Sequence, residues 1–193
     1  MKRLAVCALL LLAGAAGCAS VRPDNDRCAD FGPGGRLCLL PPADLPTVSL
    51  THLVRLSKPD AQEIFIGRVR ANGKHLRIAA TSLFGPDLFT VGYDGERIAR
   101  QGGDPRLRPV YLLAVMEFIF APAERLRPAL HGLRLSASNP SGRCLENHQT
   151  KVLCVHSDGK PLRDARLEIV MPPSKITMTL TPMQPSTRNG ATR

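Results

Sequence analysis

Between Glu63 and Arg100, apolar and polar residues alternate with the two-residue period of half-buried strands. Leu76, Ile78 and Ala80 interleave with His75, Arg77 and Ala79, which predicts a strand over 76–80. A similar strand is predicted over 64–70 and a third over 88–93. The turns come from Ala71-Asn72-Gly73-Lys74 and Asp94-Gly95, because Asn-Gly and Asp-Gly tolerate the positive φ of a tight hairpin. Between the second and third strands, Leu83-Phe84-Gly85-Pro86 places a large aromatic where turns are normally polar. The pattern therefore describes a three-stranded antiparallel meander with an apolar knuckle.

Upstream, Val48, Leu50 and His52 alternate with Ser49 and Thr51, which predicts a first strand over 47–56 and a turn at Lys58-Pro59-Asp60. Downstream, Gln101 to Pro105 reads as a loop. Pro109 to Ala121 is then apolar on nearly every side, with Glu117 as its one charge. Leu, Ala and Met favour a helix here, and Pro109 is tolerated in the first turn. The segment is too short to span a bilayer. Pro122 opens a second short helix with Glu124 in its first turn and Gly132 as terminator. Pro128 should break that helix near Arg127. A helix apolar all round must be enclosed, either in an ordinary core or across a cavity that the sheet leaves open. Strands are predicted again over 133–137, 151–156, 165–171 and 175–181. The fold class is α+β, an antiparallel sheet with a short two-helix apolar insertion, organised as one domain over 47–181. The polar tail 182–193 is expected to be disordered. No internal repeat is evident.

Charge and cysteine usage place this domain in a compartment. Lys2 and Arg3, the apolar run Leu4–Ala16 and the small residues before Cys18 make residues 1–17 an export signal. Ala15-Ala16-Gly17-Cys18 resembles a bacterial lipobox, in which Cys18 becomes the acylated N-terminus; the alternative is an ordinary secretory peptide with an unrelated Cys18. Several acyl chains, at roughly 0.8 kcal/mol per buried CH2, would anchor the protein stably. By resemblance to lipoprotein sorting rules, Ala19 after the cysteine favours the outer membrane. Residues 18–46, rich in Pro, Gly and Asp, read as a lipidated tether and lead-in. The formal net charge is +10. For an exported lipoprotein the available anions are lipid phosphates and envelope polysaccharides, so nucleic acid is set aside. A plain solvated basic face accounts for the charge equally well.

Four further cysteines, Cys28, Cys38, Cys144 and Cys154, suggest disulfides in an oxidising compartment. Three connectivities are open, the simplest being the local pairs 28–38 and 144–154. A metal site built from Cys144, His148, Cys154 and His156 is the alternative, although it lacks the paired spacing of a strong zinc motif. No Gly-x-Ser-x-Gly, His-Glu-x-x-His or phosphate-binding glycine loop occurs, so nothing positive points to an enzyme or an organic cofactor. The absence of Trp argues against a sugar-stacking surface.

Leu83-Phe84-Gly85, Leu88-Phe89-Thr90-Val91, Tyr93-Asp94-Gly95, Pro122-Ala123-Glu124-Arg125-Leu126 and Ala129-Leu130 carry a family resemblance. Together with the order of elements, they resemble the bacterial lipoprotein-localisation (Lol) carrier and receptor superfamily. More narrowly, they resemble the Lol-receptor-like lipoproteins that often accompany aryl-polyene biosynthesis genes. The resemblance spans roughly 36–181; the chain departs from it in lacking Trp and in carrying Pro128 within the second helix. It implies a curved antiparallel half-barrel with a helical lid, located at the periplasmic face of the outer membrane. It further implies a lipid or lipidated cargo, a periplasmic carrier protein as partner, and transfer without covalent chemistry. The expected cavity residues are Ile66, Leu76, Ile78, Phe89, Leu112, Leu113, Met116 and Ile119, with Phe84 contacting membrane or partner. A packed envelope scaffold without ligand is the rival reading. If Cys18 is acylated, Cys18→Ser should leave the precursor unprocessed or release the protein from the membrane fraction; normal processing with retained detergent dependence would refute the assignment.

Overall fold

The computed structural model describes residues 27–105, 107–138 and 142–183. The export signal, Cys18, residues 139–141 and most of the C-terminal tail lie outside the described residues. The first strands are β1 (Cys28–Asp30) and β2 (Arg36–Cys38). Five follow as a meander: β3 (Val48–Lys58), β4 (Ala61–Ala71), β5 (Leu76–Thr81), β6 (Asp87–Tyr93) and β7 (Ile98–Gly102). Helices α1 (Pro109–Phe120) and α2 (Ala123–Leu126) come next, then the short β8 (Leu130–His131). A second meander completes the chain: β9 (Arg134–Ser138), β10 (Gly142–Asn147), β11 (Thr150–Ser157), β12 (Leu167–Met171) and β13 (Ile176–Pro182).

The two meanders form one ten-stranded sheet in the order β7-β6-β5-β4-β3-β13-β12-β11-β10-β9. All its pairings are antiparallel. Its centre is the β3–β13 pair, where the first and last strands meet with Leu180 opposite Val54. Strands β7 and β9 do not pair, so the sheet is not closed into a barrel. One face carries Leu50, Val54, Val69, Ile78, Val91, Ile169 and Leu180, all buried in a single apolar core with α1.

Helix α1 runs through that core. Val110 and every residue from Leu113 to Phe120 are buried, so the all-round apolar pattern reports all-round enclosure. Pro122 sets its end by disfavouring α conformation at Ala121, which is extended. Arg143 of β10 reaches this end: its Nη1 donates to Ala121 O at 2.8 Å and its guanidinium lies 5.0 Å from the Phe118 ring. Helix α2 stops at Leu126 and continues as a 3-10 turn over Arg127–Ala129, in keeping with the break expected from Pro128.

Three features depart from the sequence reading. The lead-in is no mere tether from Cys28 onward: Ala29, Phe31, Leu37, Leu39, Leu40 and Leu45 are buried in the main core, and β1, β2 and β8 form a small second sheet. Strands β7 and β10 escape prediction because each carries an arginine at an alternating core-facing position, Arg100 opposite Val91 and Arg143 opposite Val155. Finally, β13 extends through Pro182, and Met183 N–H still donates to Thr51 O at 2.9 Å, so the sheet reaches beyond 181.

Both local disulfides are present and each joins residues directly opposite in neighbouring strands, Cys28–Cys38 and Cys144–Cys154. Each closes a loop with a sequence separation of 10. Removing the second pair as Cys144→Ser/Cys154→Ser should lower stability by about 2.5 to 3 kcal/mol in the chain-entropy account. Urea unfolding checks this, and an unshifted midpoint would show that the staple is energetically idle.

Candidate ligand cavity

Turns of the sheet converge at one end. The β3–β4 hairpin, the β5–β6 turn, the end of β7 and the β12–β13 turn share it, as their registers require: Lys58 faces Ala61, Thr81 faces Asp87, Phe89 faces Gly102 and Met171 faces Ile176. The start of α1 crosses behind them and leaves a cavity of about 570 Å³, a volume suited to one small or medium-sized hydrophobic ligand. Leu56, Phe65, Phe89, Leu112, Val115 and Met178 line its apolar wall. Lys58, Glu63, Asp104 and Arg108 border it. Lys58 Nζ and Glu63 Oε1 pair at 2.6 Å across the hairpin.

Tyr111 also lines the cavity. Its ring stacks on Phe31 with centroids 4.8 Å apart, and among the described residues its hydroxyl reaches only the Met171 sulfur, at 3.5 Å. Sulfur is a weak acceptor, so the hydroxyl remains available to a better one. Burial pushes its pKa up and keeps it a donor.

The residues expected to line a cavity separate into three groups. Phe89 and Leu112 do line it. Leu76, Ile78, Leu113, Met116 and Ile119 are buried in the contiguous core and are not part of the cavity wall. Ile66 is misplaced: it pairs with Leu53 and therefore points to the opposite face from Phe65, which pairs with buried Val54. Three consecutive apolar residues, Ile64-Phe65-Ile66, hide the alternation, and only the register assigns them. The wall contributed by Tyr111, Met171, Ile176 and Met178 had no signal beyond generic apolarity.

At the same end of the sheet, the β5–β6 turn carries Phe84, 96% exposed. Its turn is closed by Ser82 N–H to Pro86 O at 2.9 Å and Gly85 N–H to Ser82 O at 3.2 Å, with Gly85 at φ 109. Leu83, Leu88 and Ile64 are exposed beside it along the sheet. The metal alternative is overturned, because Cys144 and Cys154 are bonded to each other; His148 sits in the β10–β11 turn and His156 is exposed. No group of His, Cys, Asp and Glu among the described residues is arranged to hold a metal ion.

His52 and Glu117 are buried outside the cavity wall. His52, opposite Gly67, is neutralised by burial, which lowers its pKa, and its Nε2 has no hydrogen-bond partner among the described residues. Glu117 of α1 is wholly buried, accepts Leu40 N–H at 2.9 Å through Oε2, and leaves Oε1 unpartnered among the described residues. Desolvation pushes its pKa up to about 8 against an ordinary 4.5, and the Leu40 N–H opposes this only partly.

These features define an open antiparallel sheet packed around a buried helix, with an apolar cavity where the strand turns converge. The chain belongs to the DUF3261 family, proteins of unknown function, whose family model matches residues 49–184. That span holds the ten-stranded sheet except its first residue, Val48, both helices and the whole of the cavity wall. A comparison with curated proteins finds no match.

The Glu117 shift has a measurable consequence. Below 4.5 the carboxyl is protonated in both folded and unfolded chains; between 4.5 and about 8 only the unfolded chain releases its proton. Stability from this group is therefore fully present at acid pH, falls as pH rises through that window, and is lost above it. Glu117→Gln should flatten the fall while retaining an acceptor for Leu40 N–H. Calorimetric Tm profiles of the two proteins test this, and parallel profiles from 4.5 to about 8 would exclude it.

Proposed function

We propose that this protein is a non-enzymatic, lipid-anchored envelope protein that holds a lipid-like hydrophobic ligand in the cavity and delivers it into a membrane. The observation that carries the reading is the apolar cavity of about 570 Å³ opening at the same end of the sheet as the exposed Phe84 turn. Apolar surface is rarely left both hollow inside and exposed outside at one end of a soluble domain, because each costs stability without a partner. A hydrophobic ligand supports the first feature and a bilayer the second.

The resemblance to Lol-type receptors supports the same division of labour: a half-barrel that shelters acyl chains, Cys18 as anchor at the outer membrane, and an apolar turn that engages lipid at release. Leaving one phenylalanine in water forfeits about 1.5–3 kcal/mol relative to burial. Membrane insertion would recover it only at the moment of transfer. No described helix is long and apolar enough to cross a membrane, so contact through a turn and an anchor suits this fold.

Two measurements decide the reading together. Protein with Cys18→Ser, extracted without detergent, should co-purify with lipid by native mass spectrometry or take up a fluorescent fatty acid. Phe84→Glu should keep Tm and ligand uptake while slowing transfer of the bound fatty acid to vesicles several-fold. A ligand-free protein that takes up nothing would point instead to the packed scaffold. A large drop in Tm for Phe84→Glu with unaltered transfer would make the ring structural.

A further inference from the structure

A second, chemically different hollow lies against the cavity. It occupies about 670 Å³ beside the edge strand β7 and is lined by Arg27, Arg97, Arg100 and Arg108, with Glu96 the one carboxylate in its wall. Two of these guanidinia have structural partners: Arg100 donates to the carbonyls of Gly102, Leu107 and Asp104, and Arg27 to Gly95 O at 2.9 Å. Arg108 meets Asp30 at 3.4 Å with both side chains largely exposed, a contact of little energy in water. Arg97 makes no ion pair among the described residues, and neighbouring Asp94 is engaged by the N–H groups of Glu96 and Arg97, at 2.9 and 2.7 Å. Four guanidinia thus line the groove against Glu96, with Asp30 beside Arg108 and Asp94 beside Arg97 offsetting part of their charge.

Leu107 and Arg108 line both hollows. They form a ridge with an apolar cavity on one side and an arginine-lined groove on the other. Building on the cavity reading above, we infer that the ligand is an anionic amphiphile, its hydrocarbon chain in the apolar cavity and a phosphate in the groove. Phosphate suits the site better than carboxylate because it offers more acceptor oxygens and up to two charges to several converging guanidinia. A neutral lipid would leave those guanidinia with water and gain nothing from them. A phosphate without a chain would gain nothing from the cavity.

The test titrates three probes into the full chain carrying Cys18→Ser by calorimetry: oleoyl lysophosphatidate, monooleoylglycerol and glycerol 3-phosphate. Lysophosphatidate should bind about tenfold or more tightly than monooleoylglycerol, an advantage that shrinks in high salt. Arg27→Gln/Arg97→Gln changes two exposed side chains that line the groove and not the apolar cavity. With Tm unchanged, it should bring lysophosphatidate down to the affinity of monooleoylglycerol and leave the latter as it was. Equal affinities of the two lipids in the unsubstituted chain would overturn the anionic head group while sparing the cavity. Glycerol 3-phosphate binding as tightly as lysophosphatidate would overturn the joint site in favour of an isolated anion site. Failure of both lipids to bind would remove the cavity reading itself.

Discussion

The structure depends on enclosing α1. A twelve-residue helix with apolar side chains on every side cannot be covered by one sheet face alone. Here the sheet covers part of it, the lead-in around Phe31 and Leu40 covers more, and Arg143 closes its end. Fully burying a side chain such as Leu113 or Phe118 contributes about 1.5–3 kcal/mol, so the helix contributes substantially to the core. The pairing of β3 with β13 follows from the same demand: with the helices placed between β7 and β9, the chain must return its last strand beside its first to wrap one continuous face around them.

Enclosure is not uniform along the helix. Leu113, Ala114 and the residues from Met116 to Phe120 are enclosed in the core, whereas Tyr111 and Leu112 are only partly buried and, with Val115, line the open space at the mouth. The second half of α1 thus contributes to stability and the first half to the candidate site. Glu117 marks the boundary in reverse, a carboxyl placed in the most enclosed stretch and kept there by Leu40 N–H and its raised proton affinity. It couples the lead-in to the helix more specifically than apolar packing would.

The apolar cavity and the arginine groove are separated by the segment that joins β7 to α1. Arg100 holds this segment through three carbonyls, so its position follows from an inward-facing charge rather than from apolar packing. The same inward arginine removed the alternation that would have announced β7. The residue that made the strand hard to read is therefore one that shapes the site.

By itself the sequence determined what depends on neighbours in the chain. Asn72-Gly73 and Asp94-Gly95 turn the hairpins through local geometry, with Asn72 and Asp94 side chains accepting the following N–H groups. Prolines 109, 122 and 128 bound and break the helices, and cysteines ten residues apart in hairpins meet across the strands. The exposure of Phe84 follows from a turn too tight to bury it. Tertiary structure alone decided the rest. Ile64-Phe65-Ile66 has no local alternation, so cross-strand hydrogen bonding to β3 chose which side chain faces the cavity. A helix apolar all round has no preferred face in its sequence, so packing chose Leu112 for the cavity and Leu113 for the core. Arg27, Arg97 and Arg108 are far apart along the chain and become one groove only because the lead-in, the β6–β7 turn and the start of α1 meet at the sheet edge.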